Sequence, residues 1–158
     1  MIDNHDNEKI KGIFKSVKTI AMIGVSNTEK DKKSSTTRRR PSVIVMKYLQ
    51  EFGYKVIPVN PSAAGKKILG ETFVSSLNDI KIPIDLVNVF RPSNEAEKIA
   101  YDSIIVKPKV LWLQYGISSE KAKKVAEDAN IIYIANKCIK QEYQRLFLKM
   151  SPVFPVLQ

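Results

Sequence analysis

Two apolar runs of strand length end at residues that could hold a phosphate. Residues 18–23 stop at Gly24-Val25-Ser26, and residues 55–59 stop at Asn60-Pro61. A glycine lets the backbone approach an anion closely, and a serine hydroxyl supplies a donor. Gly24, Val25 and Ser26 therefore stand where a phosphate-binding turn would stand. The other reading of Gly24 is a tight strand exit with no ligand. The full G-x-G-x-x-G fingerprint is absent, as is G-x-x-x-x-G-K-[ST]. A dinucleotide site also wants a carboxylate at the end of its second strand for the ribose diol, and this chain has Asn60 there. Ordinary NAD binding is not expected.

Six cations crowd the stretch between the two runs: Lys30, Lys32, Lys33, Arg38, Arg39 and Arg40. Such a cluster can neutralise phosphates, and arginine can do so bidentately. It can equally be a solvated insertion, which is the better reading for Lys30–Lys33. Arg40 and Ser42 flank the start of the next helix, where free N–H groups and the helix dipole favour an anion.

Other chemistry has few candidates. His5 is the only histidine, so Ser-His-Asp catalysis and histidine-based metal binding are almost excluded. Cys138 is the only cysteine. It reads first as a structural thiol, second as a reactive one activated by Lys137 and Lys140. No carboxylate pair stands out for acid–base work. Trp112 reads as core, with Gln114 two residues on and able to reach a crevice.

The elements that must position these residues follow from periodicity. Ile10, Ile13, Phe14 and Val17 make residues 7–17 an amphipathic helix. Residues 18–23 are apolar on both faces and make a buried strand. A polar loop, 25–41, leads to a helix carrying Val43, Met46, Tyr48, Leu49 and Phe52, with Gly53 beyond its end. Residues 55–59 are the second strand. Residues 72–74 are expected as a short edge strand and 77–80 as one helical turn. Residues 85–90 and 110–114 are central strands. A helix begins at Ser93 with Glu95 in its first turn, and another is capped by Ser118 or Ser119. Residues 131–134 are the last strand, 139–149 a terminal helix, and 151–158 a tail held by Phe154 and Leu157.

Alternating strands and helices predict an α/β fold, a single Rossmann-like three-layer domain over residues 1–158. Its core spans about 10–148, around a parallel sheet of about five or six strands. The strand ends at Gly24–Ser26, Asn60–Pro61, Phe90–Arg91 and Gln114–Gly116 then fall at one edge and converge on one crevice.

The bulk properties agree with this. The chain has 158 residues, 44% of them hydrophobic, and a net charge of +10. That is one ordinary domain with a basic surface suited to an anionic partner. One cysteine suits a reducing compartment. The first residues carry no apolar signal core, and no apolar run reaches the roughly 18 residues of a membrane span. A cytoplasmic protein with no membrane partner is expected.

Residues 19–26, 40–42, 48–61, 69–70, 85–91, 110–116 and 136–140 together resemble the stand-alone CoA-binding domain family. The resemblance spans about residues 10–148 in order. These proteins are similar to the N-terminal CoA-binding domain of the succinyl-CoA synthetase alpha subunit. The resemblance implies a Rossmann-like domain that binds coenzyme A or an acyl-CoA. By position it puts Gly24, Val25 and Ser26 at the CoA phosphates, with Arg40 and Ser42 adding contacts. It puts Asn60, Pro61 and Ser62 on the adenosine side, Phe90 and Arg91 beside the adenine or pyrophosphate, and Gln114 facing the pantetheine arm. The loop 27–39 is longer than the family pattern, and the match around Gly65-Lys66-Lys67 is loose, which leaves Lys66 a candidate phosphate partner. The synthetase's phosphorylated histidine belongs to a separate domain, so ligase chemistry is not carried over.

The expected function is thus CoA or acyl-CoA binding without evident catalytic machinery. The alternative is a regulator or subunit that docks an acidic protein through residues 30–40. A protein partner or homo-oligomer stays open. Nucleic acid is disfavoured, because that loop lacks the interleaved aromatics that base stacking uses.

Overall fold

Ile10, Ile13, Phe14 and Val17 are all buried, as their spacing requires. They lie on or just after the first helix, α1 (Asn4–Ser16). The structure is a computed structural model and describes residues 4–27 and 40–148. The basic stretch 28–39 and the tail from 149 lie outside the described residues.

Five strands form one parallel sheet: β1 (Thr19–Ile23), β2 (Lys55–Val59), β5 (Leu86–Val89), β6 (Val110–Leu113) and β7 (Ile132–Ile134). Their order is β2-β1-β5-β6-β7. The register aligns Ile20 with Val56 on one side and with Leu86 on the other. The strand order reverses at β1, which makes the β1–β5 junction the switch point where open α/β sheets bind ligands.

Apolar groups on both strand faces demand a helical layer on each side. One layer is α1, α2 (Pro41–Glu51) and α5 (Ile139–Tyr143). It packs Phe14, Met46, Leu49 and Ile139 against Ile20, Met22, Leu86 and Trp112. The other layer is α3 (Ala96–Val106) and α4 (Glu120–Asp128). It packs Ala96, Ile99, Ala122 and Val125 against Ala21, Val87, Val89 and Leu111. The result is a Rossmann-like three-layer α/β fold. Trp112 is fully buried, and its indole N–H donates to the Lys137 carbonyl at 2.8 Å.

Three expectations change. Residues 72–74 do not add an edge strand to the main sheet. Instead β3 (Lys67–Ile68) and β4 (Glu71–Thr72) form a two-residue hairpin, and Val74 makes one bridge to Val59. Leu69 and Gly70 between them both take positive φ, which turns the chain back. The helix from Ser93 opens as a 3₁₀ turn over Ser93–Glu95 and becomes α-helical only at Ala96. The terminal helix is α over Ile139–Tyr143 and then π over Gln144–Leu148. There Tyr143 and Phe147 lie edge-on to Phe14, at ring distances of 5.2 and 5.8 Å.

Two features hold the switch point. At the entry end, the Asp85 carboxylate accepts the amides of Lys18 (2.8 Å) and Thr19 (3.0 Å). At the exit end, Gly24 donates to the Val59 carbonyl at 2.9 Å and Phe90 donates to the Ile23 carbonyl at 2.8 Å. Gly24 has φ +92°, and a Cβ there would collide with the Phe90 carbonyl oxygen and touch Arg91 Cδ at 3.0 Å. Glycine is required by the sheet itself. Gly24→Ala is expected to lower unfolding free energy by about 1–3 kcal/mol, from strain and backbone displacement. Asp85→Ala is expected to cost about 1–2 kcal/mol by stranding two strand-entry amides. Urea denaturation of both variants checks this, and wild-type midpoints would contradict it.

Candidate functional site

The exits of β1 and β5 form a saddle at the carboxyl edge of the sheet, with a cleft on either side. Gly24 and Phe90 are its crest, and Arg91 lines both clefts. The four strand ends expected to share one crevice are therefore divided between two.

The first cleft, next to β2, has a volume of about 690 Å³. Gly24, Asn60, Pro61 and Ser62 line it, facing Ser76, Asn94 and Lys98. Its polar groups are organised by Asn60. The Asn60 amide nitrogen donates to the Val25 carbonyl at 2.9 Å. Its amide oxygen accepts the Ser62 N–H at 3.0 Å and the Ser62 hydroxyl at 2.8 Å. Asn60 thus locks the β1 exit to the β2 exit and caps the turn Pro61–Ala63. The two carboxylates in this cleft are also engaged: Asp102 by Lys98 at 3.1 Å, Glu95 by Arg91.

The second cleft, next to β6, has a volume of about 760 Å³. Val45 and Pro41 of α2 form one wall, Phe90 and Pro92 the next, and Tyr115 and Ile117 a third. Gln114, Cys138 and Gln141 complete it. Gln114 is nearly fully buried: its amide donates to the Asn88 side chain, and its oxygen accepts the Ile139 N–H at 3.3 Å. It is a strut that ties β5 and β6 to the start of α5. The facing loop is fixed by Asn136, whose side-chain oxygen accepts the Gly116 N–H at 2.7 Å. Cys138 is half-buried in that cleft, so it is more accessible than a core thiol.

Arg91 and Glu95 form a bidentate pair at the crest, Nε to Oε1 at 3.0 Å and Nη2 to Oε2 at 2.7 Å. Their hydrogen bonds raise the Arg91 pKa and hold Glu95 below the usual carboxylate range. Both side chains are close to half exposed, at 45% and 42%, so the pair contributes only about 0–1 kcal/mol to stability and can be exchanged for another anion at little cost.

The structure brings Gly24, Asn60, Pro61, Ser62, Phe90, Arg91 and Gln114 to the clefts. Val25 lines neither cleft: its side chain is fully buried and its carbonyl accepts the Asn60 amide. Ser42 is buried, and its hydroxyl accepts the Ser26 N–H at 3.0 Å. That bond fastens the start of α2 to the β1 exit, so Ser26 and Ser42 brace each other. Arg40 sits at the N-cap of α2, half-buried. Lys66 is exposed on the turn before β3 and lines neither cleft. Lys30, Lys32, Lys33, Arg38 and Arg39 lie outside the described residues. Sequence reasoning missed Ser76, Asn94, Lys98, Ile117 and Gln141, while Tyr115 falls within the expected strand end Gln114–Gly116. Ile117 follows that strand end and could have been found there; Ser76 comes from a turn with no signature. Among the described residues no cluster of His, Cys, Asp or Glu could hold a metal, and no helix is long and apolar enough to cross a membrane.

Comparisons with known proteins place this geometry in a family. The uncharacterized protein YneT of Bacillus subtilis (strain 168) is 34% identical over 139 residues, covering 88% of this chain and 95% of that protein. A Thermus thermophilus protein of known structure is 33% identical with a TM-score of 0.79, over 89% of this chain and 98% of that one. A hypothetical protein from Pyrococcus horikoshii OT3 is 34% identical with a TM-score of 0.78, over 89% and 91%. The pattern of the CoA binding domain matches residues 18–144. With most of its length inside that match, and with the two-cleft saddle at its switch point, the chain belongs to the CoA-binding domain family.

Proposed function

We propose that this protein binds coenzyme A or an acyl-CoA across the saddle, by binding groups alone and without a catalytic step of its own. The carrying observation is the pair of clefts with different chemistry joined at Arg91. Each has a volume within the roughly 300–1,000 Å³ range of small-molecule sites. The cleft beside β2 offers hydroxyl, amide and ammonium groups, which suit the ribose and 3′-phosphate of the adenosine end. In sheets of this type the ribose lies at the end of the second strand. The apolar cleft beside β6 suits the pantetheine arm. The pyrophosphate lies over the crest, near Gly24, Val25 and Ser26. There Arg91 trades its exposed partner Glu95 for phosphate oxygens, with Arg40 at the start of α2 on the same side.

This arrangement also predicts discrimination against NAD. Asn60 stands where a ribose-binding carboxylate would, and its amide is already used by Val25 and Ser62. Asp102 is paired with Lys98. Titration calorimetry with CoA, NAD and ATP is the test. CoA is expected at micromolar affinity or tighter, about −8 kcal/mol, with NAD at least tenfold weaker. Arg91→Ala is expected to weaken CoA roughly tenfold or more, as a charge-assisted phosphate contact would, while leaving the melting temperature nearly unchanged. Equal affinity for CoA and NAD, or an Arg91→Ala variant that binds CoA as wild type, would contradict the reading.

A further inference from the structure

We propose that the cleft beside β6 selects CoA thioesters whose acyl group is uncharged, and rejects those that end in a carboxylate. This rests on the CoA reading above and names the substrate class of the same site. The adenosine end occupies the polar cleft, so the thioester end is delivered to the other. That cleft, about 760 Å³, is walled by Pro41, Val45, Phe90, Pro92 and Ile117. An aliphatic acyl chain gains from contact with such walls, roughly in proportion to the apolar area it covers.

A terminal carboxylate meets the opposite situation. It must shed its water against apolar carbon, which is costly unless a cation or donors receive it. The buried polar side chain at hand is a poor receiver: Gln114 is nearly fully buried and has given one amide hydrogen to Asn88. Arg91 is the one cationic side chain that the described residues contribute to the cleft lining. It sits at the rim and is bound bidentately by Glu95. If phosphate displaces Glu95, the guanidinium is spent on phosphate and the freed Glu95 carboxylate adds like charge nearby. In either state the described residues that line this cleft leave no unengaged cation for an acyl carboxylate.

The test is competition binding on the full chain with CoA, butyryl-CoA and succinyl-CoA, whose acyl groups have the same carbon count and differ in terminal charge. Butyryl-CoA is expected to bind at least as tightly as CoA, and succinyl-CoA at least tenfold more weakly than butyryl-CoA. Gln141 is exposed on α5 and lines the cleft, so a cation can be added there without touching the core. Gln141→Lys is expected to raise succinyl-CoA affinity relative to butyryl-CoA and so close most of the gap. Equal binding of the two thioesters to the wild type would overturn the proposal while leaving CoA binding intact. So would binding of CoA alone. Discrimination that Gln141→Lys does not alter would place the selection outside this cleft and overturn the assignment. Silence of all three ligands would overturn both this proposal and the CoA reading.

Discussion

The contact on which the site depends is the approach of the β1 exit to the β5 exit. Parallel strands 1 and 5 leave the sheet side by side, and Phe90 donates to the Ile23 carbonyl as they part. The Phe90 carbonyl then occupies the space a Cβ on residue 24 would need. Only glycine, at φ +92°, permits that approach. The same closeness raises a crest between two depressions, which an open sheet edge would not otherwise have. Gly24 is thus a requirement of the fold before it is a feature of any ligand site.

Around that crest, polar side chains spend their hydrogen bonds on holding loops in place. Asn60 joins the exits of β1 and β2, Ser42 joins α2 to the Ser26 amide, and Gln114 joins two strands to α5. A scaffold braced in this way keeps the cleft walls rigid, which lowers the ordering cost of ligand binding. Arg91 is the exception, since its partner Glu95 is exposed and weakly held. The groups that resemble ligand contacts in sequence are largely braces, and the exchangeable charge is at the rim.

Much of this was legible in the sequence. The five central strands and the Gly24, Asn60 and Phe90–Arg91 strand ends follow from apolar runs broken by Gly, Asn-Pro and Arg-Pro. The helix start at Ser118 or Ser119 was legible too, and the structure settles it on Ser119, whose hydroxyl accepts the Ala122 N–H at 3.0 Å. Other features depend on contacts that no local pattern carries. The hairpin at Lys67–Thr72 forms because Leu69 and Gly70 reverse the chain. The π turn at Gln144–Leu148 follows the packing of Tyr143 and Phe147 on Phe14, from the far end of the chain. The split of one expected crevice into two depends on tertiary placement, with Arg91 shared between the clefts. The roles of Ser42 and Gln114 as braces became visible only with their partners.

The most direct measurement is the map of backbone amide NMR shifts on titrating the protein with CoA. A ligand across the saddle should move Gly24, Ser62 and Arg91 together with Tyr115 and Ile117, one group in each cleft and the crest between them. Shifts confined to one cleft, or centred on the exposed Tyr101–Ile105 face of α3, would contradict it.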